Sequence, residues 1–194
     1  MPLAYIRAMK MQRGYNPNTR HVMYGLDADL VMLSLLSHDP HFSLLREVVD
    51  FNSFNRKKNE TKTLTKQIHH DAWQLLHIST VRHYLDQEFR SRGLAGKLPF
   101  GYDLERVIDD FILLCIFVGN DFLPHLPSFD IREGALDIIF ELYRRRQNTQ
   151  QLGDALLTNA GTIIPSKTAA FLAALAEIEA PIFERRAKRR QRER

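Results

Sequence analysis

Cysteine is nearly absent from the sequence, with Cys115 alone among 194 residues. No internal disulfide can form, which excludes a disulfide-stapled secreted scaffold, and one thiol cannot build a thiolate-rich zinc or iron–sulfur site. Long hydrophobic runs are missing as well. The longest, at 111–118, has eight residues, against the ~20 that a bilayer-spanning helix needs, and residues 1–10 lack the apolar segment of a signal peptide. These absences predict a reducing compartment, no membrane span and no secretion. Glycine and proline, 9 and 8 residues, are too sparse for a collagen-like or low-complexity chain. There is no GxGxxG, P-loop, nucleophile elbow or HExxH, which argues against dinucleotide-fold, kinase-like, serine-hydrolase and zincin chemistry.

Positive charge is present but unevenly placed. The chain carries 27 Lys+Arg against 23 Asp+Glu, yet seven of the basic residues lie in 185–194, so residues 1–184 carry 20 basic and 22 acidic groups, a net charge of −2. The global basicity therefore belongs to a C-terminal tail, and the rest of the chain can bind a polyanion only through local groups or metal ions. At 44% hydrophobic and 26% charged residues the composition is that of a globular domain with a real core.

Hydrophobic spacing predicts a basic amphipathic helix over 4–13, a buried strand over 21–26, a helix over 30–36 and a strand or helical turn over 42–49. Residues 52–67 are strongly polar and read as a surface loop. Helical spacing returns over 72–89 and is clearest over 103–118, where acidic residues open the helix and Gly119 follows its end. Further helices are predicted over 131–146 and from 166 onward, with Pro181 kinking or restarting the last one. The class is α/β, mostly helical. A sheet of one or two strands cannot bury itself, so the chain reads as part of a larger α/β domain.

Asp27 and Asp29 are the sharpest chemical feature. Two residues apart on an extended backbone, they would point to the same side at the C-terminal end of a strand, the edge where α/β sheets hold ligands. Converging carboxylates are stable when they share a proton or a cation, and hard ions such as Mg²⁺ or Mn²⁺ take such oxygens; the alternative is a helix cap beside a solvated Asp. Asp121, in Gly-Asn-Asp-Phe-Leu-Pro at 119–124, is either a carboxylate paired beside an apolar wall or a turn residue bonding its own backbone. Of Asp109 and Asp110, adjacent on a helix, one is expected to be exposed and the other paired with Arg106. His38, His41, His69, His70, His77 and His83 are irregularly spaced and read as surface or capping groups rather than a zinc site. Cys115 reads as a small buried hydrophobe. Arg144, Arg145 and Arg146 either complement a helix C-terminus or contact phosphate.

The runs at 21–30 (His-Val-Met-Tyr-Gly-Leu-Asp-Ala-Asp-Leu), 38–47, 103–111 and 117–127, with Ile-Arg-Glu-Gly-Ala at 131–135, resemble the Xrn family of 5′→3′ exoribonucleases over residues 5–186. The resemblance implies a partial nuclease domain of the PIN/flap-endonuclease-like kind, with one or two central strands followed by helices. Residues 1–127 would be the C-terminal part of that domain, 128–184 the start of a helical middle region and 185–194 a basic tail. It implies hydrolysis of RNA bearing a 5′-monophosphate with Mg²⁺ or Mn²⁺, and Asp27, Asp29 and Asp121 match three of the family's metal-binding acids. The family's remaining acids and its 5′-phosphate pocket belong to a region ahead of these motifs, so the 194 residues are expected to have little or no activity alone. The alternative is an inert RNA-binding or scaffolding fragment. The 131–135 run resembles the nuclear branch more than the cytoplasmic one, which implies a nuclear setting and protein partners in RNA decay.

Overall fold

The computed structural model describes residues 2–25, 27–49, 68–90, 101–147 and 156–192. These fall into two units, Met1–His83 and Tyr84–Arg194. The polar loop expected at 52–67 and the residues around Gly153 lie outside the described residues, as does Leu26 at the end of the first expected strand.

The first unit opens with helix α1 (Pro2–Lys10) and continues through strand β1 (His21–Tyr24), helix α2 (Asp29–Leu35) and strand β2 (Phe42–Val49). β1 and β2 pair in parallel, with Met23 opposite Leu44, so α2 is the crossover that a parallel pair requires. Strand β3 (Ile68–His77) then pairs antiparallel to β2, with Leu45 opposite Leu75. The mostly helical α/β class holds, but the sheet has three strands in the order β1-β2-β3, one more than expected. The helix expected over 72–89 starts only at Ile78, because the residues before it are taken into the β2–β3 ladder.

Alternation along the strands sorts the sheet's faces. Phe42 and Leu44 are buried, as is Leu35 of α2, which packs on β2. On the other face Val22 and Tyr24 are 60% and 58% exposed, so β1 is not the buried strand its composition suggests. Asp39 pins the turn between α2 and β2. Its side chain is only 2% exposed and takes the Lys10 ammonium at 3.0 Å, while its other oxygen accepts the His41 N–H at 2.8 Å. Burial alone would raise the Asp39 carboxyl, but Lys10, the His41 N–H and nearby His21 outweigh it and hold the group below the usual carboxylate range.

Helix α3 (Ile78–Phe89) leads into the second unit, which holds α4 (Leu104–Phe117), a short 3-10 turn (Ile131–Glu133), α5 (Ala135–Gln147), a hairpin of β4 (Thr158–Asn159) and β5 (Thr162–Ile163), and α6 (Pro165–Arg192). Asp103 caps α4 by accepting the Glu105 N–H at 3.0 Å. The core joins Val107 and Leu114 of α4, Ile139 and Tyr143 of α5, and Phe171 and Leu175 of α6. Phe89 meets Phe111, Phe140 and Tyr143 edge-on, with ring centroids 5.9–6.4 Å apart, the arrangement favoured by aromatic quadrupoles.

Asp109 and Asp110 are both buried, against the expectation that one faces solvent. Asp110 accepts four hydrogen bonds. The Tyr143 hydroxyl and the Leu157 N–H reach Oδ2 at 2.7 and 2.8 Å, and the Thr158 N–H and hydroxyl reach Oδ1 at 2.8 and 2.6 Å. It thus ties α4 to α5 and to the β4 hairpin. Burial pushes its carboxyl above the usual range, against the pull of the four donors. Pro181 sits inside α6 without ending it, and residues 185–192 of the basic segment belong to that helix. Burial pushes the Cys115 thiol up to about 12, which suits a packing role.

Candidate metal centre

Asp27 and Asp29 lie where β1 hands over to α2. The Asp27 carboxylate accepts the backbone N–H of Asp29 at 3.1 Å, a turn that starts the helix, and Ala28 between them already has helical dihedrals, φ −64° and ψ −31°. The backbone here is not extended, so strand alternation is not what aligns the two side chains. The tight turn does so instead, and one oxygen from each carboxylate lies within 4.8 Å of the other. Asp27 therefore fills part of the capping role while keeping oxygens available, and the capping and metal readings do not compete.

The donor set suits a hard divalent ion. Both groups offer only carboxylate oxygen, and two oxygens on opposite sides of one Mg²⁺ stand about 4.2 Å apart. Asp27 is exposed and Asp29 partly so, which leaves room for water or phosphate to complete the coordination.

Asp121 belongs to the second unit, in the turn that ends α4. Gly119 there has φ +87°, the left-handed conformation that closes many helices, and a Cβ at this position would stand 2.6 Å from the His125 backbone nitrogen. Asn120 then satisfies the turn: its side-chain oxygen accepts the N–H groups of Phe122 and Leu123 at 3.0 and 2.8 Å, and its own N–H donates to the Leu123 carbonyl at 2.9 Å. The backbone-bonding role open to Asp121 is thus taken by its neighbour. Asp121 itself is exposed. Asn120 was legible as an Asx turn but overshadowed by the acid beside it.

The other expected sites divide. Among the described residues no group of three or more potential metal ligands includes a histidine. His77 pairs with the Ser43 hydroxyl at 3.1 Å and His21 with the Tyr15 hydroxyl at 3.0 Å. Arg144 is 8% exposed and held by Glu88 and by Glu141, the latter at 2.7 Å. Arg145 also bonds Glu141 at 2.7 Å, which with Arg144 holds that carboxyl below its ordinary value. A phosphate contact by Arg144 would first have to break two ion pairs, so this arrangement favours its structural reading. The Arg146 side chain lies outside the described residues.

Comparison with known proteins agrees with the resemblance in the sequence. Residues 3–48 match the family model described as the XRN 5′-3′ exonuclease N-terminus, and residues 101–194 match the Xrn1 helical domain. The chain is similar to 5′-3′ exoribonuclease 1 of Schizosaccharomyces pombe, 46% identical over 182 residues, covering 94% of this chain and 13% of the relative. It is similar to 5′-3′ exoribonuclease 2 of Saccharomyces cerevisiae, 45% identical over 151 residues, covering 72% of this chain and 14% of that protein. The 5′-3′ exoribonuclease 2 of Arabidopsis thaliana is 36% identical over 214 residues, covering 98% of this chain and 20% of that relative. The chain thus spans a fifth or less of these relatives' length.

Proposed function

The chain belongs to the Xrn family, and from that premise we propose that it is the part of a 5′→3′ exoribonuclease in which Asp27, Asp29 and Asp121 hold Mg²⁺ or Mn²⁺ for hydrolysis of 5′-monophosphorylated RNA. The observation that carries this reading is the Asp27–Asp29 pair, two all-oxygen donors within 4.8 Å at the first turn of a helix. The exposed Asp121, beside an Asn that already satisfies its turn, supports it.

A divalent ion held by Asp27, Asp29 and Asp121 would supply charge stabilisation to the oxygens of a phosphoryl displacement. The chain's own contribution is to hold the ligands. The Asp29 N–H fixes the orientation of the Asp27 carboxylate, and Gly119 lets the backbone turn sharply enough to present Asp121 just past a buried helix. Three carboxylates supply few oxygens for two ions, so the 194 residues alone are expected to show little or no cleavage. We place the protein in the nucleus, with the cytoplasm as the alternative, on the resemblance of residues 131–135 to the nuclear branch, and its protein partners would belong to RNA decay there.

Digestion of a 3′-labelled, 5′-monophosphorylated RNA by the purified chain tests the reading. Little or no cleavage together with divalent-metal binding that is lost in Asp121→Ala supports it, as does any 5′-end shortening that needs Mg²⁺ and is lost in that variant. Shortening that survives EDTA or the substitution contradicts it, and no cleavage together with no metal binding favours the inert RNA-binding fragment.

A further inference from the structure

The last turns of α6 present two different sets of basic side chains. Arg186 faces inward: its guanidinium donates to the Pro127 and Ser128 carbonyls at 2.5 and 3.1 Å and bonds Glu133 at 2.9 Å. It clamps the helix to the segment after α4. Arg185, Lys188, Arg189 and Arg192 are exposed and line a shared groove with Pro181 and Glu184. At 100° per residue these four fall within an arc of about 100° on the helix, in a row about 10 Å long.

We propose that this row binds the phosphate backbone of a single-stranded nucleic acid. Compensation of the helix dipole does not account for it, because that effect falls off within the last turn and Arg185 lies two turns back. An anionic membrane surface is a poor match, since between Glu184 and Arg192 the sole apolar side chain is Ala187 and a surface-bound helix needs an apolar face to insert. Four cations over about 10 Å match four successive phosphates of a stacked strand, spaced about 3.4 Å along its axis. The choice of nucleic acid over other polyanions rests on the nuclease reading above. The four side chains carry their own positive charge, so phosphate binding here needs no metal.

The test is the salt dependence of binding of a labelled 20-nucleotide single-stranded RNA to the full 194-residue chain, followed by fluorescence anisotropy in EDTA. Release of counterions from four phosphates gives a log–log slope of about −3, or about 50-fold weaker binding at 200 than at 50 mM KCl. Replacing Arg185, Lys188, Arg189 and Arg192 together by Gln, which keeps helix propensity, should bring the slope close to zero with the helical circular dichroism unchanged. Asp27→Asn should leave the slope as it was, so failure of the metal reading would not imitate failure of this one. The proposal is overturned by absence of RNA binding at low salt, by an unchanged slope in the quadruple variant, or by poly-glutamate or phosphatidylserine vesicles competing as well as RNA.

Discussion

The Tyr143 hydroxyl donates to Asp110 Oδ2 at 2.7 Å in the core of the second unit, across 33 residues of sequence. Both groups are fully buried, so the bond cannot be exchanged for one to water. Tyr143→Phe removes a single donor and should cost about 1–3 kcal/mol in urea unfolding. Asp110→Ala should cost more, because it removes at once the acceptor of the Tyr143 hydroxyl, two backbone N–H groups and the Thr158 hydroxyl. A neutral Tyr143→Phe would show that the carboxylate is satisfied without the phenol.

Asp39 predicts a pH dependence. Its folded carboxyl is held below the ordinary value by Lys10, the His41 N–H and His21 despite its burial. A depressed carboxyl contributes stability that is fully present above its unfolded pKa, near 3.9, and is lost as pH falls through the lower folded value. Asp39→Asn should therefore destabilise the protein most at pH 5–7, and the gap between wild type and variant should narrow below about pH 4. A gap that stays constant with pH would mean that Asp39 acts through shape and neutral hydrogen bonds.

Gly119→Ala should be among the costlier single-methyl additions in the chain. It places a Cβ on a φ of +87°, 2.6 Å from a backbone nitrogen. Left-handed strain alone costs about 1–3 kcal/mol, and the clash adds to it. Because the same turn carries Asp121, the variant should also bind Mn²⁺ more weakly by calorimetry. Loss of stability with full retention of metal affinity would separate the turn from the site.

The elements legible in the sequence were those whose signals are local. Helix α4 announced itself through the Asp103 cap, an apolar face and Gly119. The Asp27–Asp29 pair and the Asp121 turn were visible as motifs, although a helical turn and not strand alternation aligns the first two. Strand β3 was hidden because Leu75, Leu76, Ile78 and Val81 keep a helical spacing across its end, and pairing with β2 overrides that spacing up to His77. The role of Asp110 was not legible at all, since its donors come from 33 to 48 residues away and nothing local distinguishes it from Asp109. Arg144 was read by its position at a helix end, but its partner Glu88 is 56 residues distant.

If Asp27, Asp29 and Asp121 are ligands of a divalent ion as proposed, Mn²⁺ titration of the chain followed by electron paramagnetic resonance reads it out. Saturable Mn²⁺ binding is expected to weaken at least about tenfold in each of Asp27→Asn, Asp29→Asn and Asp121→Asn, with the double variant of Asp27 and Asp121 losing less than the sum of the two, as ligands of a shared site do. Binding that is unchanged in Asp121→Asn would contradict the proposal.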